Sequence, residues 1–183
     1  MLKPLIFLIG SAGLVYISRA SLRAKQSHGF YRFFAWVCML ALVLLNVEVW
    51  FQNPWAWYQL VSWLLLIASI SVLISGVRSL TSQGKPVAQR EAEPQLLAFE
   101  KTSALVTSGI YHYIRHPLYS SLFFLTWGTF FKALTWPGLV LAVASALFLI
   151  ATARADEAEC TRFFGTAYRE YMQHTKKFIP YLF

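Results

Sequence analysis

ALTWPGLVLAVASALFLIATA, residues 133–153, carries no Asp, Glu, Lys or Arg, and the chain runs on as Arg154-Ala155-Asp156-Glu157-Ala158-Glu159 with no helix breaker before Gly165. About 20 apolar residues carry a helix across about 30 Å of hydrocarbon, so this stretch reads as a transmembrane helix. From Gly138 to Phe164 it would be about 40 Å long, more than the hydrocarbon is thick, and its last turns must stand in water. Further charge-free runs cover 4–18, 33–47, 49–77 and 116–131. Each is long enough to cross if flanking Arg, Lys and aromatic side chains snorkel to the interface. The chain is therefore predicted to be all-α: one polytopic membrane domain, 1–183, with five transmembrane helices. The first three fall near 3–22, 30–51 and 56–78. The fourth, near 117–133, and the fifth form a hairpin turned at Trp136-Pro137-Gly138.

Composition agrees. Of 183 residues 57% are hydrophobic and only 13% charged, against about 25% charged in soluble domains. The net charge of +8 raises the question of nucleic acid, but all cations except Lys3 and Lys132 fall between spans one and two, between three and four, or after five. One-sided basicity predicts topology: N-terminus outside, C-terminus cytoplasmic, with anionic membrane lipid as the partner of the basic face. The expected location is a cell inner membrane, with the functional face toward the cytoplasm.

Residues 1–20 also have the apolar run and small residues of a signal peptide, but their positive charge follows that run instead of preceding it. Gly10 and Gly13 suit close helix approach. Glu48, near the outer end of span two, is placed to reach interfacial water. Cys38 and Cys160 fall at different depths, which argues against a disulfide, and no CxxC suggests a metal.

Two clusters on the basic side are poorly explained by membrane spanning. Between spans three and four lies a long turn, 79–115. It contains a polar stretch with Gly84-Lys85-Pro86 and Glu93-Pro94, then Leu96, Leu97, Phe99 and Leu105-Val106, apolar residues suited to the membrane face. It ends in Thr107-Ser108-Gly109-Ile110-Tyr111-His112-Tyr113-Ile114-Arg115-His116-Pro117-Leu118-Tyr119. Pro117 suits a helix start, where backbone N–H groups and the dipole favour an anionic group, and Tyr111, Arg115, His116 and Tyr119 supply donors and aromatic faces. A juxtamembrane belt of aromatic and basic residues has the same composition. The second cluster is Asp156-Glu157-Ala158-Glu159, followed by Phe164-Gly165, Tyr168, Tyr171 and Pro180. These acids either balance nearby cations as a solvated face or, with the aromatics, suit a cationic ligand.

Taken together, Leu105-Val106-Thr107-Ser108-Gly109-Ile110-Tyr111, Arg115-His116-Pro117-Leu118-Tyr119, the acidic pair Asp156-Glu157, Phe164-Gly165, Tyr168, Tyr171 and Pro180 make an ordered pattern. It resembles the isoprenylcysteine carboxyl methyltransferase family and its phospholipid methyltransferase relatives. The resemblance covers about residues 103–183, and implies an integral-membrane methyltransferase that takes S-adenosylmethionine from the cytoplasm and a lipophilic acceptor from the bilayer. Carried over by position, it implies cofactor contacts from Ser103, Ala104, Leu105, Val106, Tyr111, His116, Pro117, Leu118, Tyr119, and Asp156 or Glu157. It implies no metal and no nucleophilic side chain.

There is one departure. The prenylcysteine enzymes carry an arginine four residues before the cofactor acid, where this chain has Thr152. Arg154, the nearest cation, is the candidate for positioning the acceptor, but it lies about 200° around the helix from Thr152. An isoprenylcysteine carboxylate, a phospholipid amine and a thiol all stand as acceptors. Membrane sterol reductases that use NADPH resemble the same C-terminal pattern, and a non-catalytic scaffold or transporter is the third class.

Overall fold

The computed structural model describes residues 2–84 and 104–182. Within them the chain forms α1 (Leu2–Arg23), α2 (His28–Asn46), α3 (Trp57–Gln83), α4 (Pro117–Phe130), α5 (Trp136–Phe164) and α6 (Thr166–His174). Short 3-10 turns occupy Val47–Val49 and Gly109–His112, and a parallel bridge joins Ile114 to Lys176. The described elements are all helical apart from that bridge.

Helix ends follow from local chemistry. Ser27 caps α2 by accepting the Phe30 N–H at 3.2 Å. Pro117 opens α4 and Pro137 stands in the first turn of α5, where a missing N–H costs nothing. Thr135 caps α5 by accepting the Gly138 N–H at 3.2 Å. Gly165, at φ +64, ends α5 in a backbone region that a side chain disfavours and lets α6 fold back.

The helices pair antiparallel. Ser62, Ser69 and Gly76 recur every seventh residue on the buried face of α3, and Ser121 and Gly128 do the same on α4. The Ser62 hydroxyl donates to Gly128 O and that of Ser69 to Ser121 O, both at 2.7 Å. Small residues that let backbones approach and hydroxyls that bond across are how helices associate where lipid removes the hydrophobic drive. On α2 and α5, Ala35, Met39 and Leu149 pack as one core cluster, and Leu42, Ala142 and Phe130 as another. α1 packs on α2 and leaves Leu5, Leu8, Ile9 and Ile17 outward.

Among the described residues four helices are long and apolar enough to cross a membrane: α1, α2 with its 3-10 extension, α3 and α5. The expected fourth span is the difference. At 14 residues α4 is about 21 Å long, short of the hydrocarbon thickness. Asn46 explains where it stops, because its amide donates to Thr129 O at 2.8 Å and takes a carbonyl from the last turn. In the turn that follows, Lys132 is buried, donating to Gln59 Oε1 at 3.0 Å with its ammonium 3.5 Å from the Trp63 ring centre. Glu48 is exposed and pairs with Lys3 at 3.0 Å. Cys38 and Cys160 are not joined by a disulfide.

A Cβ on Gly128 would stand 3.0 Å from Leu66 side-chain carbons and 3.2 Å from its backbone nitrogen, whereas one on Gly13 would meet nothing within 4 Å. Gly128→Val is expected to destabilise the protein by about 1–3 kcal/mol, seen as a lower melting temperature in detergent. Gly13→Ala should cause no such fall.

Candidate active site

The inward stripe of α5 continues past its apolar part. Ala142, Ser145, Leu149, Thr152 and Ala153 are buried; carried forward at about 3.6 residues per turn, the stripe reaches Asp156 and Cys160. Opposite them stands the segment before α4. Proline disfavours the helical region in the residue before it, which holds His116 outside α4 at φ −123, ψ 59. Gly109, at φ +63, packs so closely on Ser79 that an added Cβ would lie 2.8 Å from its hydroxyl oxygen.

Between these elements opens a cleft of about 750 Å³, mouth included. Leu105, Val106, Tyr111, His116, Leu118, Tyr119 and Asp156 line it, seven of the positions named from sequence. Its lining also includes Leu80 of α3, Arg115, Glu159, Cys160, Phe164, Tyr168 and Tyr171. Ala104 is half-buried just before the cleft, its N–H directed at Gly84 O at 3.4 Å. Pro117 is buried against Gly76. Ser103 lies outside the described residues, as do Lys85, Glu93, Leu96, Leu97 and Phe99.

The two adjacent acids do different things. Asp156 lines the cleft, with Oδ2 3.3 Å from His116 Nδ1 and Oδ1 accepting from the Cys160 thiol at 3.5 Å. Glu157 turns away from the cleft into an ion-pair hub. Its Oε1 accepts from Arg115 Nε at 3.0 Å and lies 3.4 Å from His116 Nε2, while Oε2 accepts from Lys177 Nζ at 2.9 Å. Arg115 also donates to Met172 O at 3.2 Å and to Thr175 O. Backbone bonds complete the join: Arg115 N–H to Lys176 O at 2.8 Å and Lys176 N–H to Tyr113 O at 3.1 Å. Ser120 donates to Phe178 O at 2.8 Å, and Phe178 is buried against Phe123.

Arg154 takes no part in this. It is exposed, on the same outward stripe of α5 as Val140, Val143 and Leu147. Thr152, by contrast, is buried with its hydroxyl donating back to Phe148 O at 2.7 Å. Arg154 thus does not stand where an arginine at position 152 would stand.

Electrostatics sharpen the picture. Burial disfavours a charged His116, but its hydrogen bonds to Asp156 and Glu157, with their negative charge, outweigh it and raise its pKa above the usual 6.5. Burial, reinforced by the nearby Cys160 and Asp156, pushes the Tyr168 hydroxyl far up, and burial also raises Tyr171. Both tyrosines stay neutral, and the Tyr171 hydroxyl donates to Tyr111 O at 2.6 Å. Among the described residues no group of three or more His, Cys, Asp or Glu is arranged to hold a metal ion. A carboxylate among tyrosine and phenylalanine rings suits an organic cation with a flat ring.

Fold and cleft together define a helical membrane protein with an acidic, aromatic-walled pocket at the ends of its core helices. Residues 57–167 match the family model described as phospholipid methyltransferase, and the chain belongs to that family. It is accordingly a membrane methyltransferase. The match begins at the start of α3, well before the motifs that carry the resemblance in sequence, and ends at Ala167. No curated protein and no solved structure matches the chain.

His116 generates a pH prediction. Its folded pKa is raised, so its pairs with Asp156 and Glu157 contribute fully below about pH 6.5, and that contribution is lost as pH rises through the folded value. The melting temperature of the wild type should fall over that window, and His116→Gln should flatten the fall. Glu157→Gln leaves Arg115 and Lys177 without their carboxylate and should cost about 1–3 kcal/mol of stability in denaturant titration.

Proposed function

We propose that this protein transfers a methyl group from S-adenosylmethionine to a lipophilic acceptor drawn from the bilayer, with its N-terminus outside and its cleft facing the cytoplasm of an inner membrane. The observation that carries this reading is the cleft's donor set: the Asp156 carboxylate beside Tyr111, Tyr119, Phe164 and Tyr168. These groups fit a cofactor that is both a cation and a nucleoside. When bound, S-adenosylmethionine supplies a methyl group on a positively charged sulfur. The protein's part in an in-line displacement is alignment, exclusion of water and a matched field.

Each role falls to named residues. Asp156 supplies the negative field, shared with His116 at 3.3 Å. Tyr111, Tyr119 and Tyr168 are largely buried and offer ring faces. Leu80, Leu105, Val106 and Leu118 provide the apolar wall that excludes water. Ala104 directly precedes Leu105 of that wall in the chain. Arg154, on the outward stripe, is placed to meet lipid head groups as a snorkelling cation and not the reacting atoms.

Calorimetry on the detergent-solubilised protein tests the donor: S-adenosylhomocysteine should bind and NADPH should not. Asp156→Asn should weaken S-adenosylmethionine binding at least tenfold, about 1.4 kcal/mol, and, since it breaks only the His116 pair, should cost less stability than Glu157→Gln. Binding of NADPH alone, or an Asp156→Asn variant with unaltered affinity, would reject the assignment. Transfer of labelled methyl into a total membrane extract then identifies the acceptor.

A further inference from the structure

A second, wider cleft lies on the other side of α5. The turn between α1 and α2 (Ala24, Lys25, Gln26, Ser27) forms one wall, and Ala155, Ala158 and Arg162 of α5 with Met172 of α6 form the other. Its open space is about 1830 Å³, mouth included. Of the described residues, Glu159 alone lines both this cleft and the one that holds Asp156.

Glu159 is held in place from α2. Its Oε1 accepts the His28 backbone N–H at 2.9 Å and its Oε2 lies 2.7 Å from His28 Nδ1. His28 is 1% exposed and is the first residue of α2, where the helix dipole favours a carboxylate. Two bonds leave a carboxylate with further lone pairs to offer. Nothing in the binding role given to Asp156 or the structural role of Glu157 uses this pair.

We propose that Glu159, oriented by His28, is the proton acceptor of the methyl-transfer reaction, and that the second cleft admits the head group of an acceptor that still carries a proton on its nucleophilic atom. This rests on the methyltransferase reading above. Glu159 takes the proton from the acceptor's N–H or S–H; the freed lone pair attacks the methyl carbon. The carbon–sulfur bond breaks, and its electron pair stays on sulfur as a neutral thioether. An acceptor that is already a carboxylate needs no such base, so the pair separates the acceptor classes that the sequence leaves open. Lys25 and Arg162 are exposed cations at the second cleft, suited to an anionic group beside the reacting atom. The other charged or titratable groups that line the clefts with Glu159 are Glu157 in the second and, in the first, Asp156, Cys160, His116, Arg115 and the tyrosines Tyr111, Tyr119, Tyr168 and Tyr171. His28 is a positioning residue.

The test uses full-length protein in phosphatidylglycerol vesicles with labelled S-adenosylmethionine. The acceptors are phosphatidylethanolamine, a long-chain alkanethiol and a farnesylated N-acetylcysteine carboxylate. The wild type should methylate a proton-bearing acceptor. Glu159→Gln should lower its kcat at pH 7 about 100-fold or more, with S-adenosylhomocysteine affinity by calorimetry changed less than threefold and a residual rate that climbs with pH. Glu159→Asp, which keeps the carboxylate, should recover part of the rate and the wild-type acid limb; it also serves if the glutamine variant fails to fold. His28→Gln should lower kcat about tenfold and move that limb. Wild-type protein that binds no S-adenosylhomocysteine overturns the methyltransferase reading and this one with it. Binding with transfer to the carboxylate alone, or a Glu159→Gln variant with wild-type kcat, overturns this inference only.

Discussion

Glu157 fixes the geometry on which the cleft depends. Three stretches that are far apart in sequence meet at its carboxylate: the segment before α4 through Arg115 and His116, the chain after α6 through Lys177, and α5 itself. The backbone exchange between residues 113–116 and 176–177 is only a few bonds long, too short to hold without such support. The pairs are largely screened from water, with exposures of 11–17% on Arg115, Glu157 and Lys177. Removing one partner would therefore strand charge in a poor solvent. Asp156 gains its position from this arrangement, because His116 is gripped by Glu157 on one ring nitrogen while it faces Asp156 with the other.

Absence of charge located the helices well, and their ends less well. The run through residue 131 promised a longer α4 than Pro117–Phe130. What ends the helix is an amide on α2 and a buried lysine caged by α3, and neither is visible from within the run. At the other extreme α3 continues to Gln83, past the last apolar run, because no breaker occurs until Gly84. Helix chemistry is local and could be read from the chain. The limits imposed by neighbouring helices could not.

The same division holds in the site. The residues around Pro117 were legible because proline, glycine and the aromatics constrain backbone and packing locally. Phe164, Tyr168 and Tyr171 were visible as a pattern, yet their place in the cleft depends on the left-handed turn at Gly165. Which of Asp156 and Glu157 faces the cleft was not decidable in sequence. At about 100° per residue the two point to different neighbours, while Glu159 comes back to within about 60° of Asp156 and shares its cleft. The His28 partner of Glu159 is 131 residues away, and no periodicity within α5 announces it.

The short α4 explains why a cleft exists here at all. Gly76 of α3 packs on Pro117, the first residue of α4, and Ala153 of α5 clusters with Tyr119 in the same first turn. Both longer helices then run on for about two more turns or more, α3 to Gln83 and α5 to Phe164. Leu80 stands one turn beyond the start of α4 on one side, and Asp156, Glu159 and Cys160 stand beyond it on the other. A recessed helix between two longer ones leaves a hollow, and burying polar groups in it is tolerable only where they are paired. The segment 104–116 and the residues after α6 roof that hollow with His116, Arg115 and Lys177, which supply the pairs. Lengthening α4 by a turn at its N-terminus would fill the space that Asp156 faces, so the helix too short to match the membrane is also the one that makes room for chemistry.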